Sequence, residues 1–222
     1  MERRFSNQNV RIESRADGKK GIVGRGIVYY DGTPETEYVL WDDQWGRAVE
    51  RIMPGAADKA LARPDDIRGL FNHDPSQVLG RNKAGTMKLT SDAAGVNYDI
   101  EAGDTSVARD VMAHIERGDV SGSSFSFNIP PAGQVWTSTT DQSGRAMDTR
   151  EITDLELYDL GPVTFPAYDK TTAGVRSAGD MQEARAARDE WRRAGVAALD
   201  ADQAQAAEVQ KISLDTAAAA SL

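Results

Sequence analysis

The 222-residue chain has no cysteine, two histidines and a formal net charge of -9. Lack of cysteine excludes disulfides, thiolate metal sites and a cysteine nucleophile, and the acidic balance argues against a general nucleic-acid partner, because phosphates would be repelled over most of the surface. Hydrophobic residues at 40% and charged residues at 27% fit a globular domain with a tail; no apolar run reaches bilayer length, and no secretory segment follows Met1–Phe5. The expected setting is the cytoplasm of the producing cell, away from membranes.

Residues 1–20 are polar with weak periodicity and read as a loose start followed by a first strand. Gly21 to Tyr30 is β-branched and aromatic, with glycines that suit bends, and turn chemistry follows from Asp31 to Thr36. Tyr38 to Trp41 and Arg47 to Ile52 read as strands, and Ala56 to Ala62 as a short helix stopped by Pro64. Asp66 to His73 reads as a strand ended by Asp74-Pro75, with Val78 to Arg81 after the turn. Thr86 to Leu89 and Val96 to Ile100 form a hairpin around Asp92 to Gly95.

Val107, Ala108, Val111, Met112 and Ile115 recur at helical spacing behind a cap at Asp104 or Thr105, and Gly118 stops that helix. A strand then runs to Asn128, with Phe125, Phe127 and Ile129 on one parity and Ser124 and Ser126 on the other. Gln134 to Ser138 and Arg150 to Leu160 complete the strands. Many short strands with few helices predict an α+β, mainly β fold: a small closed β-barrel flanked by helices, followed by a helical tail. The expected divisions are 1–20, 21–176 and 177–222. Trp191, Val196, Leu199 and Val209 give the tail only a thin apolar stripe, which suits a surface or partner-binding helix.

With cysteine absent, a covalent mechanism needs another nucleophile, and a serine needs a base with an orienting partner. A strand serine is most often only a tolerated small residue, so Ser124 gains interest from its potential partners. His73 stands at a strand end, where a rigid scaffold holds a side chain that can still reach a substrate. His114 lies on the amphipathic helix beside Glu116 and Arg117, as expected of a solvated face. Asp154, Glu156 and Asp159 are candidates for the orienting acid; strict alternation puts Asp159 on the face of Leu155 and Leu157, unless a bulge near Gly161 reverses it. Two distant histidines give no metal-ligand pairing, so no metal or cofactor is expected.

Phe71-Asn-His-Asp-Pro75, Val78-Leu-Gly-Arg81, Arg117-Gly-Asp-Val-Ser-Gly122 running into Ser124-Phe125, and Pro162-Val-Thr-Phe-Pro-Ala-Tyr168 follow one another in order. With Ala84-Gly-Thr86 and the earlier Glu50-Arg-Ile-Met-Pro-Gly-Ala56, they resemble the prohead proteases of HK97-type tailed phages, over roughly Gly21 to Arg176. The resemblance implies a serine endopeptidase related in fold to herpesvirus assemblin, with His73, Ser124 and Asp159 at the catalytic positions. It implies as partners the major capsid protein and its scaffold segment, and possible self-association, inside an immature capsid in the host cytoplasm. Ser123 stands where the family commonly has a larger apolar residue, and Gly161 where serine is usual. A catalytically silent assembly factor and an esterase-type hydrolase of the same fold are the alternatives.

Overall fold

The computed structural model describes residues 1–6, 10–63, 66–165, 182 and 185–194. The chain divides into two units, Met1–Met181 and Gln182–Leu222. In the second, residues 185–194 are helical and Trp191 is exposed. Val196, Leu199, Val209 and most other residues of the expected tail lie outside the described residues.

The first unit runs β1 (Glu2–Ser6), β2 (Arg11–Ser14), β3 (Lys20–Val28), β4 (Tyr38–Asp43), β5 (Gly46–Ile52), α1 (Asp58–Ala62), β6 (Arg68–Leu70) and β7 (Val78–Arg81). It continues with β8 (Met87–Asp92), β9 (Gly95–Glu101), α2 (Ser106–Arg117), β10 (Gly122–Asn128), β11 (Gln134–Thr140), β12 (Ala146–Ile152) and β13 (Glu156–Val163).

The expectation of a closed barrel is wrong. Among the described residues the strands form three open sheets, ordered β1-β10-β13-β6-β7, β11-β12-β5-β4 and β2-β3-β9-β8. Their apolar faces meet in one shared core. A single cluster takes Phe125, Phe127 and Leu160 from the first sheet, Tyr38, Ile52 and Ile152 from the second, and Ile22, Ile27 and Ile100 from the third. Sheet-on-sheet burial removes this surface from water as well as closure does, with each large side chain contributing about 1.5–3 kcal/mol. Strand edges remain, and β1 is one of them.

The start of the chain is more ordered than its polarity suggests. Arg4 on β1 is fully buried, and its guanidinium donates to both carboxylate oxygens of Glu50, at 2.6 and 2.8 Å. Glu50 also accepts from Arg150 at 2.9 Å, and Arg150 donates to both oxygens of Glu2. These contacts link β1 to β5 and β12 and add charge pairing to the ladder with β10 and the burial of Phe5.

Local signals set α2. The Thr105 hydroxyl accepts from the Ala108 amide at 3.1 Å; Ala108, Val111 and Ile115 are buried; and Gly118 turns the chain at φ 83°. This stop delivers the chain directly into β10. Two expected strands are shorter or divided: only Arg68–Leu70 of the Asp66 to His73 segment is extended, and Thr153–Leu155 separates β12 from β13. At that break the Thr153 and Asp154 amides both donate to the Gly133 carbonyl.

Candidate active site

β10 pairs antiparallel with β1 on one side and β13 on the other, so it lies inside its sheet with both faces covered. Phe125 and Phe127 enter the core, and the pleat sends Ser124 and Ser126 to the opposite face, as their parity predicts. Ser123 falls on the Phe125 side. Its hydroxyl meets Tyr98 Oη at 2.9 Å, so the second hydroxyl next to Ser124 in sequence points away from it. Burial pushes the Tyr98 phenol well above its ordinary range, although the Ser123 hydrogen bond opposes the shift.

His73 reaches the same face from the turn between β6 and β7. Asn72 and His73 both have left-handed backbone, with φ of 55° and 58°. Non-glycine residues adopt this conformation at a cost, which the surroundings must offset. Asn72 supplies much of the restraint: its amide donates to the Pro162 carbonyl at 3.1 Å, its Oδ1 accepts from the Thr164 amide at 2.8 Å, and its Nδ2 donates to Thr164 Oγ1 at 2.7 Å. Asp74 closes the far side by accepting from the Ser76 amide and hydroxyl. The turn is thus fastened to the end of β13, which also carries Asp159.

Asp159 reaches the site through a bulge. Ser126 pairs with Asp159 but Phe127 pairs with Leu157, which leaves Tyr158 as the extra residue on β13. The parity reset lets Leu157 and Leu160 both enter the core while Asp159, between them, faces the other way. The irregularity that reverses strict alternation therefore lies at Tyr158, three residues before Gly161. Gly161 serves a different purpose: a Cβ there would stand 2.2 Å from the Leu70 carbonyl oxygen, so glycine permits the close approach of β13 and β6.

The structure brings together His73, Ser124 and Asp159. His73 Nε2 lies 2.5 Å from Ser124 Oγ, and His73 Nδ1 lies 2.5 Å from Asp159 Oδ1. With Nδ1–H donated to the carboxylate, Nε2 is left as the acceptor for the serine proton. Ser126 completes the set by donating its hydroxyl to Asp159 Oδ2. Ser124 Oγ has a second acceptor, the Arg4 carbonyl at 2.9 Å, so one proton has two destinations. Ser124 is fully buried and the His73 side chain is 4% exposed, with Phe5 of β1 edge-on to the imidazole at 6.2 Å.

The other candidates lie apart from this line. Asp154 Oδ2 accepts from Lys59 Nζ at 2.7 Å, and Glu156 from the Tyr158 hydroxyl at 3.2 Å. His114 is on the exposed face of α2, 3.5 Å from Asp119. Sequence reasoning assigned no role to Asn72, to the Arg4 carbonyl, or to Ser126 beyond its face. For Ser126 the signal was present, as the i+2 neighbour of Ser124 on a strand.

A hydroxyl, an imidazole and a carboxylate in one hydrogen-bonded line constitute the arrangement by which serine hydrolases carry out acyl transfer. The chain belongs to the caudovirus prohead serine protease family, whose model matches residues 36–185. No curated protein and no solved structure matches it. The matched stretch contains His73, Ser124 and Asp159; β1, whose Arg4 carbonyl faces Ser124, precedes it.

Proposed function

We propose that this chain is a serine endopeptidase in which Ser124 is the nucleophile, His73 the general base and Asp159 the carboxylate that orients the imidazole. The observation that carries the reading is the double reach of His73, to Ser124 through one ring nitrogen and to Asp159 through the other. His73 takes the hydroxyl proton as Ser124 Oγ attacks the scissile carbonyl, then returns it to the leaving amine. Water repeats the sequence on the acyl-enzyme. Asp159 holds the tautomer that leaves Nε2 free to accept. The substrate class is the scaffold segment of the major capsid protein, together with the protease itself, inside the immature capsid in the host cytoplasm. Family membership supports the capsid setting, and the buried Ser124 suits an enzyme whose cleavage is confined to an assembled shell.

Co-expression of the wild type or Ser124→Ala with the capsid protein, followed by intact-mass measurement of every chain, tests the proposal. Shortened capsid protein and shortened protease in the wild-type sample alone are expected. Intact chains in both samples favour a silent assembly factor. Reaction with a serine-directed fluorophosphonate but no peptide cleavage favours an esterase.

A further inference from the structure

The mechanism above uses one oxygen of Asp159. The other, Oδ2, accepts a hydrogen bond from the Ser126 hydroxyl, and both residues are buried. Ser126 follows Ser124 by two positions on β10, on the same face, and is the register partner of Asp159 at the last pair before the bulge. The four side chains therefore form a circuit that leaves β10 at Ser124, passes through His73 and Asp159, and returns to β10 at Ser126.

The circuit matters because of how Asp159 is presented. Its strand bulges at Tyr158, which disturbs the pleat that would otherwise fix the direction of the side chain. A carboxylate tied only through Oδ1 can rotate about its terminal torsion, which is broad and soft, and the imidazole would follow. Donation from Ser126 to Oδ2 removes that freedom. It also satisfies a lone pair of a largely buried carboxylate, and it references the orienting acid to the strand that bears the nucleophile.

We infer that Ser126 is a positioning residue for the acyl-transfer reaction, acting through Asp159 to hold the His73 ring in line with Ser124. This inference rests on the proposed roles of those three residues. The bland alternative is a buried hydroxyl that merely satisfies itself, with the Asp159 rotamer fixed by packing.

Three full-length proteins separate the two: wild type, Ser126→Ala and Ser126→Thr. The first readout is the rate at which a fluorophosphonate modifies Ser124, followed by intact mass. The second is the low-field proton resonance of His73 Nδ1–H, identified by its loss in His73→Gln; with only two histidines in the chain, the assignment is unambiguous. The alanine variant should stay folded and label about ten- to a hundredfold more slowly, the loss expected from removing a hydrogen bond to a charged group. Its resonance should broaden or vanish, and threonine, which keeps the hydroxyl, should restore both signals. Ser126→Ala with wild-type labelling and an intact resonance overturns the inference. So does an equal slowing in the alanine and threonine variants with the resonance intact in both. A wild type that takes no label overturns the protease reading instead; the resonance, which needs no turnover, then decides the contact between Ser126 and Asp159 by itself.

Discussion

The Leu70 carbonyl oxygen occupies the space a side chain at position 161 would need, 2.2 Å from an ideal Cβ. Gly161 and Leu70 thereby bring β13 and β6 together immediately before the turn that carries His73. In Gly161→Ser the new Cβ meets backbone, which cannot swing aside as a side-chain tip can. The strands must separate, and the Asn72 clamp on Pro162 and Thr164 is strained with them. We expect a stability loss of about 1–3 kcal/mol by urea denaturation, typical of overpacking, accompanied by slower modification of Ser124. Unchanged stability and labelling would mean that β6 and β13 tolerate a wider spacing.

Ser123 and Ser124 are adjacent but face opposite ways, and their alanine variants should separate cleanly. Ser123→Ala leaves the buried Tyr98 hydroxyl without its Ser123 partner and should cost about 1–3 kcal/mol while the fluorophosphonate adduct still forms. Ser124→Ala should abolish the adduct. Peptide mapping of the modified protein checks both outcomes.

Phe5 lies across the imidazole edge and packs against Val163, so it helps cover the site. Phe5→Ala should destabilise the fold by about 3–5 kcal/mol in denaturant titration and, under folding conditions, accelerate labelling of Ser124 because access improves. A labelling rate equal to wild type would place the barrier to access elsewhere.

Glu2 gives the folded chain a specific acid sensitivity. Burial works to raise its carboxyl, but the hydrogen bond from Arg150 and the charges of Arg4 and Arg150 outweigh it and hold the group at about 2, against 4.5 for a free glutamate. A carboxylate depressed in the folded state contributes stability that is fully present above about pH 4.5 and is lost as pH falls toward 2. The full contribution is on the order of 3 kcal/mol, of which about 2 kcal/mol is lost by pH 3. Urea titrations at pH 7 and pH 3 should show this fall in the wild type and a smaller one in Glu2→Gln; equal falls would mean that Glu2 is not the responsible group.

What could be read from sequence was mostly local. The Thr105 cap, the apolar spacing through Ile115 and the stop at Gly118 all lie within one helix, and α2 follows them. The β8–β9 hairpin likewise follows its Asp92 to Gly95 turn, where Asp92 accepts from the Ala94 and Gly95 amides. β1 was illegible because its burial depends on Glu50 and Arg150, far along the chain, and arginine at position 4 looks like surface until those partners arrive. Closure of a barrel and stacking of open sheets place the same demand on alternating residues, so patterning does not separate them.

The site divides in the same way. Ser124 and its face were readable from strand parity, and His73 from its position at a turn. Asp159 rested on family resemblance against strict alternation, because nothing in the sequence marks Tyr158 as the bulged residue.

The central claim is that His73 activates Ser124, and the most direct measurement is intact-mass and peptide analysis of fluorophosphonate-treated wild type beside His73→Ala. The account predicts a single adduct on Ser124 in the wild type, forming at least about a hundredfold more slowly without the imidazole. An adduct on another serine, or equal rates in the two proteins, would contradict it.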